Sequence, residues 1–206
     1  MHYLLFFFIH TIIFSQEFTW SRIAQIDEGW KHHIITNQYN DAIAVGIDLE
    51  GYNPMQIFFR EDNDWQQIPG NELAGSMIVG LYLSNEQDIY ICDFAMGLFK
   101  TSNLGQQWTG VGELINEGCS AFNVHPNHTM FIGMTYTGIG FIHRSLDEGA
   151  TWEGIPLPDY DSNYPVEHIE FDSQGNIYLG TINGVYKSMD FGESWNKMNV
   201  GLDGVQ

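Results

Sequence analysis

Basic residues are scarce in this chain of 206 residues, which contains 7 Lys and Arg against 26 Asp and Glu and carries a formal net charge of −19. Binding to nucleic acid requires cations that neutralise phosphates, so this balance excludes nucleic acid as an expected partner. An anionic membrane surface is disfavoured by the same repulsion. Hydrophobic residues make up 44% of the chain and charged residues only 16%, so we expect a packed core rather than an acidic disordered tail.

Cysteine is almost absent, with Cys92 and Cys119 as the two cysteines of the chain. Neither belongs to a CxxC zinc pattern, and two thiols are too few for a disulfide framework. We expect two small buried side chains, with a disulfide as the alternative in an exported protein, because the sequence cannot place their Cα atoms within bridging distance. Zinc is not expected either, since the adjacent His32 and His33 point to opposite faces of a predicted strand.

Long apolar runs are limited to residues 1–15, a segment shorter than the roughly 20 residues that a membrane-spanning helix needs. The segment predicts a signal peptide with cleavage after Ser15, although Lys and Arg are missing from its start. The mature domain, residues 16–206, is therefore expected to be secreted, extracellular or on the cell surface, with the periplasm as a further option. Membrane contact is expected only if the segment stays uncleaved as an anchor.

Tryptophan, by contrast, recurs at a fixed spacing. Trp65, Trp108, Trp152 and Trp195 lie 43, 44 and 43 residues apart, and an apolar residue follows each of them three positions later. Short alternating segments between the tryptophans are separated by turns rich in Gly and Asn, which is typical of antiparallel hairpins. Four strands per roughly 40–45 residues predict an all-β fold of β-propeller blades. We place the blades at about residues 32–68, 76–111, 119–155 and 166–198.

The turn before each tryptophan carries the most specific motif. Residues 145–152 fit S-x-D-x-G-x-T-W at every defined position, and residues 188–195 differ only in Ser for Thr. Residues 101–108 are a weaker copy, and the turn before Trp65 has lost the pattern. This motif resembles the Asp-box (BNR, bacterial neuraminidase repeat) of β-propellers such as sialidases, photosystem assembly factors and sortilin-like receptors.

The residues of the motif have a structural explanation. The Asp or Asn side chain accepts hydrogen bonds from amides of its own turn, the Gly adopts a positive φ, and the Trp packs on the sheet. The resemblance likewise implies a structural role, away from the substrate face. The residues concerned are Thr101, Asn103, Gly105, Trp108, Ser145, Asp147, Gly149, Trp152, Ser188, Asp190, Gly192 and Trp195.

The register of the repeat predicts an incomplete propeller. Residues 20–23 match the outermost strand of a blade whose inner strands are absent before them. The chain then holds about four blades plus one orphan strand. We interpret it as the front part of a larger propeller or as a truncated reading frame.

Candidate binding residues lie in the loops between the second and third strands and in the connectors between blades. Strand alternation places these loops at the end opposite the motif turns, and loops on a rigid scaffold commonly carry binding sites. Exposed Tyr and carboxylate side chains suit contact with sugar faces or peptides, although ordinary polar loops remain the alternative. The candidates are Asp48, Glu50, Tyr52, Asp93, Tyr136, Asp159, Tyr160, Asp161 and Tyr164.

Catalysis is not expected from this segment alone. The sialidases that the motif resembles bind substrate with three arginines and use a Tyr/Glu pair and an Asp, whereas this chain has only three arginines in all. Two of them, Arg60 and Arg144, are expected to share one position of the blade with Lys100 and Lys187, which favours a structural role. We assign no catalytic residue.

The expected function is therefore that of an exported, non-catalytic module that binds a glycan or a protein. The alternative is a fragment of a glycoside hydrolase, sialidase-like or glycanase-like, whose catalytic residues lie partly outside this chain. No cofactor or resident metal is expected. Calcium is a further option, because the acidic pairs Asp48/Glu50 and Asp159/Asp161 offer hard oxygen ligands.

Overall fold

The computed structural model describes residues 30–37, 41–48, 56–61, 64–70, 73, 77–112, 117–135, 141–158 and 165–200. Within these ranges the chain forms four antiparallel sheets, each with four strands in chain order. The predicted all-β propeller fold is confirmed. Both the predicted signal peptide and the orphan strand at residues 20–23 lie outside the described residues. The described part of the chain contains no helix with the length and apolarity needed to cross a bilayer.

Each sheet is a four-stranded meander. The first consists of β1 (Trp30–Thr36), β2 (Ala42–Asp48), β3 (Gln56–Glu61) and β4 (Asp64–Ile68). The second consists of β5 (Ile78–Leu83), β6 (Ile89–Asp93), β7 (Gly97–Thr101) and β8 (Thr109–Gly110). The third consists of β9 (Cys119–Val124), β10 (Met130–Met134), β11 (Phe141–Ser145) and β12 (Glu153–Pro156). The fourth consists of β13 (Val166–Phe171), β14 (Ile177–Thr181), β15 (Gly184–Ser188) and β16 (Asn196–Lys197).

The sheets are arranged around their first strands, which form the inner layer. β5 contacts both β1 and β9, and β9 in turn contacts β13. A cluster of buried apolar side chains fills each space between neighbouring sheets. Aromatic rings meet across these spaces, as Tyr90 does with Phe122 at a centroid distance of 5.5 Å and Phe131 with Phe171 at 5.8 Å. The core is thus divided among the interfaces between sheets, as expected for stacked repeats.

The strand register corrects the expected position of Arg60. Lys100, Arg144 and Lys187 share one position of the third strand, opposite the second residue of the second strand. In the first sheet Phe59 takes this position, and Arg60 follows one residue later. The prediction that Arg60 shares the position of the other cations is therefore wrong. The turn after β3 has lost the motif that fixes the alignment elsewhere, so the sequence alone left room for a shift of one residue.

A disulfide joins the second and third sheets. Cys92 in β6 and Cys119 at the start of β9 are bonded, with their Cα atoms 5.3 Å apart. The expectation of two reduced buried thiols is wrong. In the third sheet the position of Cys92 is occupied by Gly133, where an added Cβ would lie 2.9 Å from the carbonyl oxygen of Val166, the residue that corresponds to Cys119. Adjacent sheets approach closely at this position, and this proximity between repeats is not visible in the sequence.

The motif turns, hereafter box turns, each dock on the preceding sheet. The glycine of each turn has a positive φ, with values of 76°, 88° and 90° for Gly105, Gly149 and Gly192. A Cβ on Gly149 would fall inside contact distance of Val111 Cγ1, and one on Gly192 would lie 3.3 Å from Ile155 Cδ1. Val111 and Ile155 are the apolar residues three positions after the tryptophan of the preceding sheet. The apolar residue three positions after each tryptophan therefore recurs because it receives the box turn of the next sheet. The box turns are residues 101–108, 145–152 and 188–195.

We expect alanine at Gly149 to destabilise the fold more than alanine at Gly192. Both substitutions strain a positive-φ position, at a cost of about 1–3 kcal/mol. At Gly149 the new Cβ also clashes with Val111, which adds about 1–3 kcal/mol, whereas at Gly192 the neighbours need shift only slightly. Urea unfolding of Gly149→Ala and Gly192→Ala measures the difference. Equal losses for the two variants would contradict this account.

Removal of the disulfide should lower the free energy of unfolding by about 3.5 kcal/mol, because the bond closes a loop with a sequence separation of 27 residues. Denaturant unfolding of the wild type with and without reductant, beside the double variant Cys92→Ala/Cys119→Ala, checks this value. Reductant should lower the midpoint of the wild type and leave the double variant unchanged. A wild-type midpoint that does not respond to reductant would overturn the assignment of a stabilising disulfide.

Candidate functional site

The antiparallel order places the turns at two opposite ends of the sheets. The box-turn end holds the box turns and the turns between first and second strands, and the rings of His125 and Phe191 from these two classes lie 5.2 Å apart. The loop end holds the turns between second and third strands and the connectors between sheets. Two of those turns are linked directly, because Thr135 Oγ1 donates to the carbonyl oxygen of Phe94 at 3.0 Å.

Asp93 is the predicted binding residue whose side chain the structure describes, and it is fully buried at the loop end. Its Oδ1 accepts hydrogen bonds from the backbone amides of Ala95 at 2.9 Å and Met96 at 2.6 Å. Its Oδ2 is buried without a hydrogen-bond partner. Because the carboxylate closes its own turn inside the protein, it does not reach a ligand at the surface. The expectation that Asp93 contributes to an exposed binding face is therefore not supported.

The side chains of the other predicted binding residues lie outside the part of the chain that the structure describes. Asp48 is placed as the last residue of β2, at the loop end, and its side chain is outside the described set. The remaining seven lie outside the described residues. The predicted calcium ligands Glu50, Asp159 and Asp161 are among them. In the described parts of the chain, His, Cys, Asp and Glu side chains form no group of three that suits a metal ion. The seven residues are Glu50, Tyr52, Tyr136, Asp159, Tyr160, Asp161 and Tyr164.

The loop end of the fourth sheet is closed by polar side chains that sequence reasoning did not single out. Thr181 Oγ1 donates to the carbonyl oxygen of Gly184 at 2.8 Å. Asn199 Oδ1 accepts from the amide of Val185 at 3.0 Å, and its Nδ2 donates to the carbonyl oxygen of Asn183 at 2.8 Å. The turn Thr181-Ile182-Asn183-Gly184 contains residues that favour a tight hairpin, and this was the signal in the sequence that could have indicated a closed turn.

Short and long segments alternate at the loop end. The second and fourth sheets have short turns between their second and third strands, residues 94–96 and 182–183. The first and third sheets have longer segments at the same place, residues 49–55 and 135–140. Several of the predicted binding residues belong to these longer segments. The structure thus supplies a firm frame around the sequence segments that carry the candidate tyrosines and carboxylates.

Contacts between neighbouring sheets also occur near the loop end. The Cys92–Cys119 disulfide lies next to the turn of the second sheet. Ser120 Oγ, in the bulge that opens β9, donates to the carbonyl oxygen of Val166 in the fourth sheet at 2.7 Å. A covalent bond and a buried hydrogen bond therefore fix three successive sheets at the end where the candidate residues belong.

At the box-turn end, by contrast, the carboxylates are committed to their own turns. Asp147 Oδ1 accepts from Ser145 Oγ and from the amide of Thr151, both at 2.8 Å, and Oδ2 accepts from Thr151 Oγ1 at 2.6 Å. These hydrogen bonds, above all the one from the Thr151 side chain, hold the pKa of Asp147 below its usual value. The Ser194 hydroxyl does the same for the pKa of Asp190.

The box turn of the second sheet has an amide where the others have a carboxylate. Asn103 Oδ1 accepts from Thr101 Oγ1 at 2.9 Å and from the amide of Gln107 at 3.0 Å. Trp108 Nε1 donates to the carbonyl oxygen of Pro69 in the segment that follows the first sheet, at 3.0 Å. Hydrogen bonds within the turn and to the preceding repeat therefore occupy these polar groups, and their geometry matches a structural use.

The carboxylate box turns should make the protein sensitive to acid. A folded-state pKa below the unfolded value of 3.8 gives a stabilisation that is complete above that value and is lost as the pH falls through the folded pKa. We expect Asp147→Asn/Asp190→Asn to unfold at a lower temperature at pH 7 and to lose less on acidification from pH 5 to pH 2. Asn103→Asp is the matched control and should increase the loss. Thermal melts against pH measure this, and identical profiles for all three proteins would contradict it.

Comparison with known proteins gives a partial match in sequence and a broad match in fold. No protein-family model matches the chain. Over 89 residues it is 36% identical to the xyloglucanase Xgh74A of Acetivibrio thermocellus, an alignment that covers 36% of this chain and 11% of that enzyme. The chain thus spans about a ninth of the length of the curated relative that it matches.

Solved structures share the arrangement of sheets at low sequence identity. The Niastella koreensis GH74 enzyme superposes with a TM-score of 0.64 at 18% identity, covering 80% of this chain and 29% of that one. PorZ, from the type-IX secretion system of Porphyromonas gingivalis, gives 0.59 at 12% identity, covering 84% and 27%. YCF48 bound to D1 peptide gives 0.53 at 15% identity, covering 79% and 50%. The chain is a β-propeller module, a fold that these proteins use for different purposes.

Proposed function

We propose that this chain is the propeller module of an exported protein and that its loop end binds an extracellular, neutral glycan without cleaving it. The observation that carries the proposal is the Cys92–Cys119 disulfide, which lies at the loop end and joins two successive sheets. Disulfides persist in oxidising environments such as the periplasm and the cell exterior. The bond therefore supports export, as the apolar segment at residues 1–15 does.

The position of the disulfide also supports binding at the loop end. A binding face is more effective when its supporting residues are held in place before the ligand arrives, since less conformational entropy is then lost. Here the disulfide and the bond from Ser120 to Val166 fix the scaffold beneath the longer loop segments. Those segments contribute the candidates Tyr52 and Tyr136, whose aromatic faces suit stacking on sugar rings.

The charge of the chain favours a neutral ligand. With a formal net charge of −19, the protein repels anionic polymers, and a neutral polysaccharide is free of this penalty. The segment shared with the xyloglucanase Xgh74A supports a β-glucan such as xyloglucan as the first ligand to test. An extracellular protein partner is the other ligand class that the loop composition suits.

The state of Asp93 removes one loop-end carboxylate from the candidates for cleavage. Hydrolysis of a glycosidic bond generally uses two carboxyl groups about 5–9.5 Å apart on either side of the bond. Asp93 is buried and bonded to its own turn, so it is unsuited to serve as one of them. The sequence similarity to Xgh74A keeps a second candidate function in place, a glycoside hydrolase fragment completed by residues outside this chain.

Isothermal titration of the full chain with soluble xyloglucan tests the proposal. We expect binding, and we expect Tyr52→Ala/Tyr136→Ala to weaken it at least about tenfold, because each lost aromatic contact contributes on the order of 1 kcal/mol. Leu146→Ala, which alters an exposed residue at the box-turn end, should leave the affinity unchanged. Thermal melts of the variants control for folding.

A reducing-sugar assay on the same mixtures separates the two candidate functions. No release of reducing ends, together with measurable binding, supports a binding module. Release that disappears in Asp48→Asn or Asp159→Asn would establish the hydrolase alternative instead. Failure to bind any neutral polysaccharide in a panel would overturn the glycan proposal and favour a protein partner.

A further inference from the structure

The third residue after each repeat tryptophan is buried in the first three sheets and exposed in the fourth. Ile68, Val111 and Ile155 have exposures of 6%, 8% and 8%, whereas Met198 at the same position is 49% exposed. The backbone at this position is unchanged, because the amides of Val111 and Met198 both donate to the third strand of their own sheet, at 2.9 and 2.7 Å. The difference therefore lies in what covers the side chain.

In the occupied interfaces, the covering group is the glycine of the next box turn. Gly149 lies against Val111 with no room for a Cβ, and Gly192 lies against Ile155, where a Cβ would be 3.3 Å from Ile155 Cδ1. A side chain on the glycine would displace the turn from the preceding sheet. The surface around Met198 thus has the shape that receives such a turn in the other interfaces.

A cation beside this position contacts the same box turn. Arg144 in the third sheet is only 8% exposed, and its Nη1 donates to the carbonyl oxygen of Phe191 at 2.8 Å and to Glu193 Oε1 at 2.7 Å, both in the box turn of the fourth sheet. Lys187 holds the equivalent position in the fourth sheet. Its Nζ lies 4.9 Å from the centre of the Tyr178 ring, and no carboxylate of the described residues forms an ion pair with it.

The side chains around Lys187 on this sheet face are also more exposed than their counterparts in the second sheet. In the second sheet Tyr90 and Leu98 are 4% and 0% exposed, because the third sheet packs on them. Their counterparts in the fourth sheet, Tyr178 and Val185, are only half-buried. Lys100 in the second sheet also lies over a tyrosine ring, that of Tyr90, at 5.2 Å, and its ion pair is with Asp88 of its own sheet at 2.6 Å.

We infer that the outer face of the fourth sheet, formed by Tyr178, Val185, Lys187 and Met198, is a docking surface for one further propeller blade that carries a box turn. The glycine of that turn packs on Met198, and a carboxylate or carbonyl oxygen of the turn binds Lys187. Continuity with the interfaces already formed and charge complementarity to Lys187 identify this partner.

A second copy of this chain is a poorer fit. Its second, third and fourth sheets already use their box turns against the sheets that precede them. Its first sheet has Glu61-Asp62-Asn63-Asp64 before Trp65, a turn without glycine. The occupant is therefore a propeller blade additional to these four. This inference is independent of the proposed ligand at the loop end.

An added repeat tests the inference directly. The chain is extended after Val200 by a second copy of residues 157–200, which brings a connector and a complete box turn. We expect the extended chain to melt roughly 2–4 °C higher or more, since each docked repeat adds an interface. Peroxide oxidation of the original Met198, followed by peptide mass spectrometry, should become about six times slower as its exposure falls from 49% toward 8%. Met77, which is also 49% exposed, is the internal reference and should not change.

Two variants of the extended chain separate docking from mere extension. Gly192→Val in the added copy should restore fast oxidation of Met198, because the valine side chain keeps the turn away. Lys187→Glu in the original sheet should destabilise the extended chain more than the 206-residue chain, in which it removes only the contact with Tyr178. Unaltered oxidation of Met198 in a folded extended chain would overturn the inference. So would a 206-residue chain that sediments as a dimer and becomes monomeric on Met198→Glu, because the occupant would then be a second copy.

Discussion

The contact between the glycine of one repeat and the outer strand of the repeat before it sets the geometry of the whole chain. Gly149 approaches Val111 so closely that no larger residue fits, Gly192 lies against Ile155, and the positive φ of both glycines turns the chain toward the preceding sheet. The tryptophan that follows is held in the same place, as Trp108 shows by its bond to the carbonyl oxygen of Pro69. Each sheet is thereby positioned by its predecessor, and the buried clusters follow from that stacking.

This dependence on neighbours explains where the protein is tightly fixed and where it is open. Between the second and third sheets, the close approach of inner and second strands is made permanent by the Cys92–Cys119 disulfide. Between the third and fourth sheets, Arg144 and Ser120 bind the next repeat at opposite ends of the interface. The outer face of the fourth sheet carries the same types of residue, no sheet of the described residues packs on it, and Met198 is exposed there as a result.

The two ends of the sheets use polar residues differently. At the box-turn end, Asp147, Asp172 and Asp190 accept hydrogen bonds within their own turns, and these bonds hold the pKa of each carboxyl below its usual value. Local hydrogen bonds within turns thus order these three carboxylates without an ion pair, which suits a protein with few cations. The loop end combines short closed turns with longer segments, and this division leaves ligand recognition to the longer segments.

The sequence determined the class of fold. Strand alternation and turn residues are local properties, and they recur with a tryptophan in each of the four repeats. It did not determine the disulfide, the burial of Asp93 or the position of Arg60. Cys92 and Cys119 meet because two sheets approach each other, and Asp93 is buried because its turn folds back on its own carboxylate. Arg60 follows a register that the shortened turn leaves undefined in sequence. The contact between two repeats decides the disulfide and the conformation of single turns decides the other two features, and only the tertiary structure specifies both.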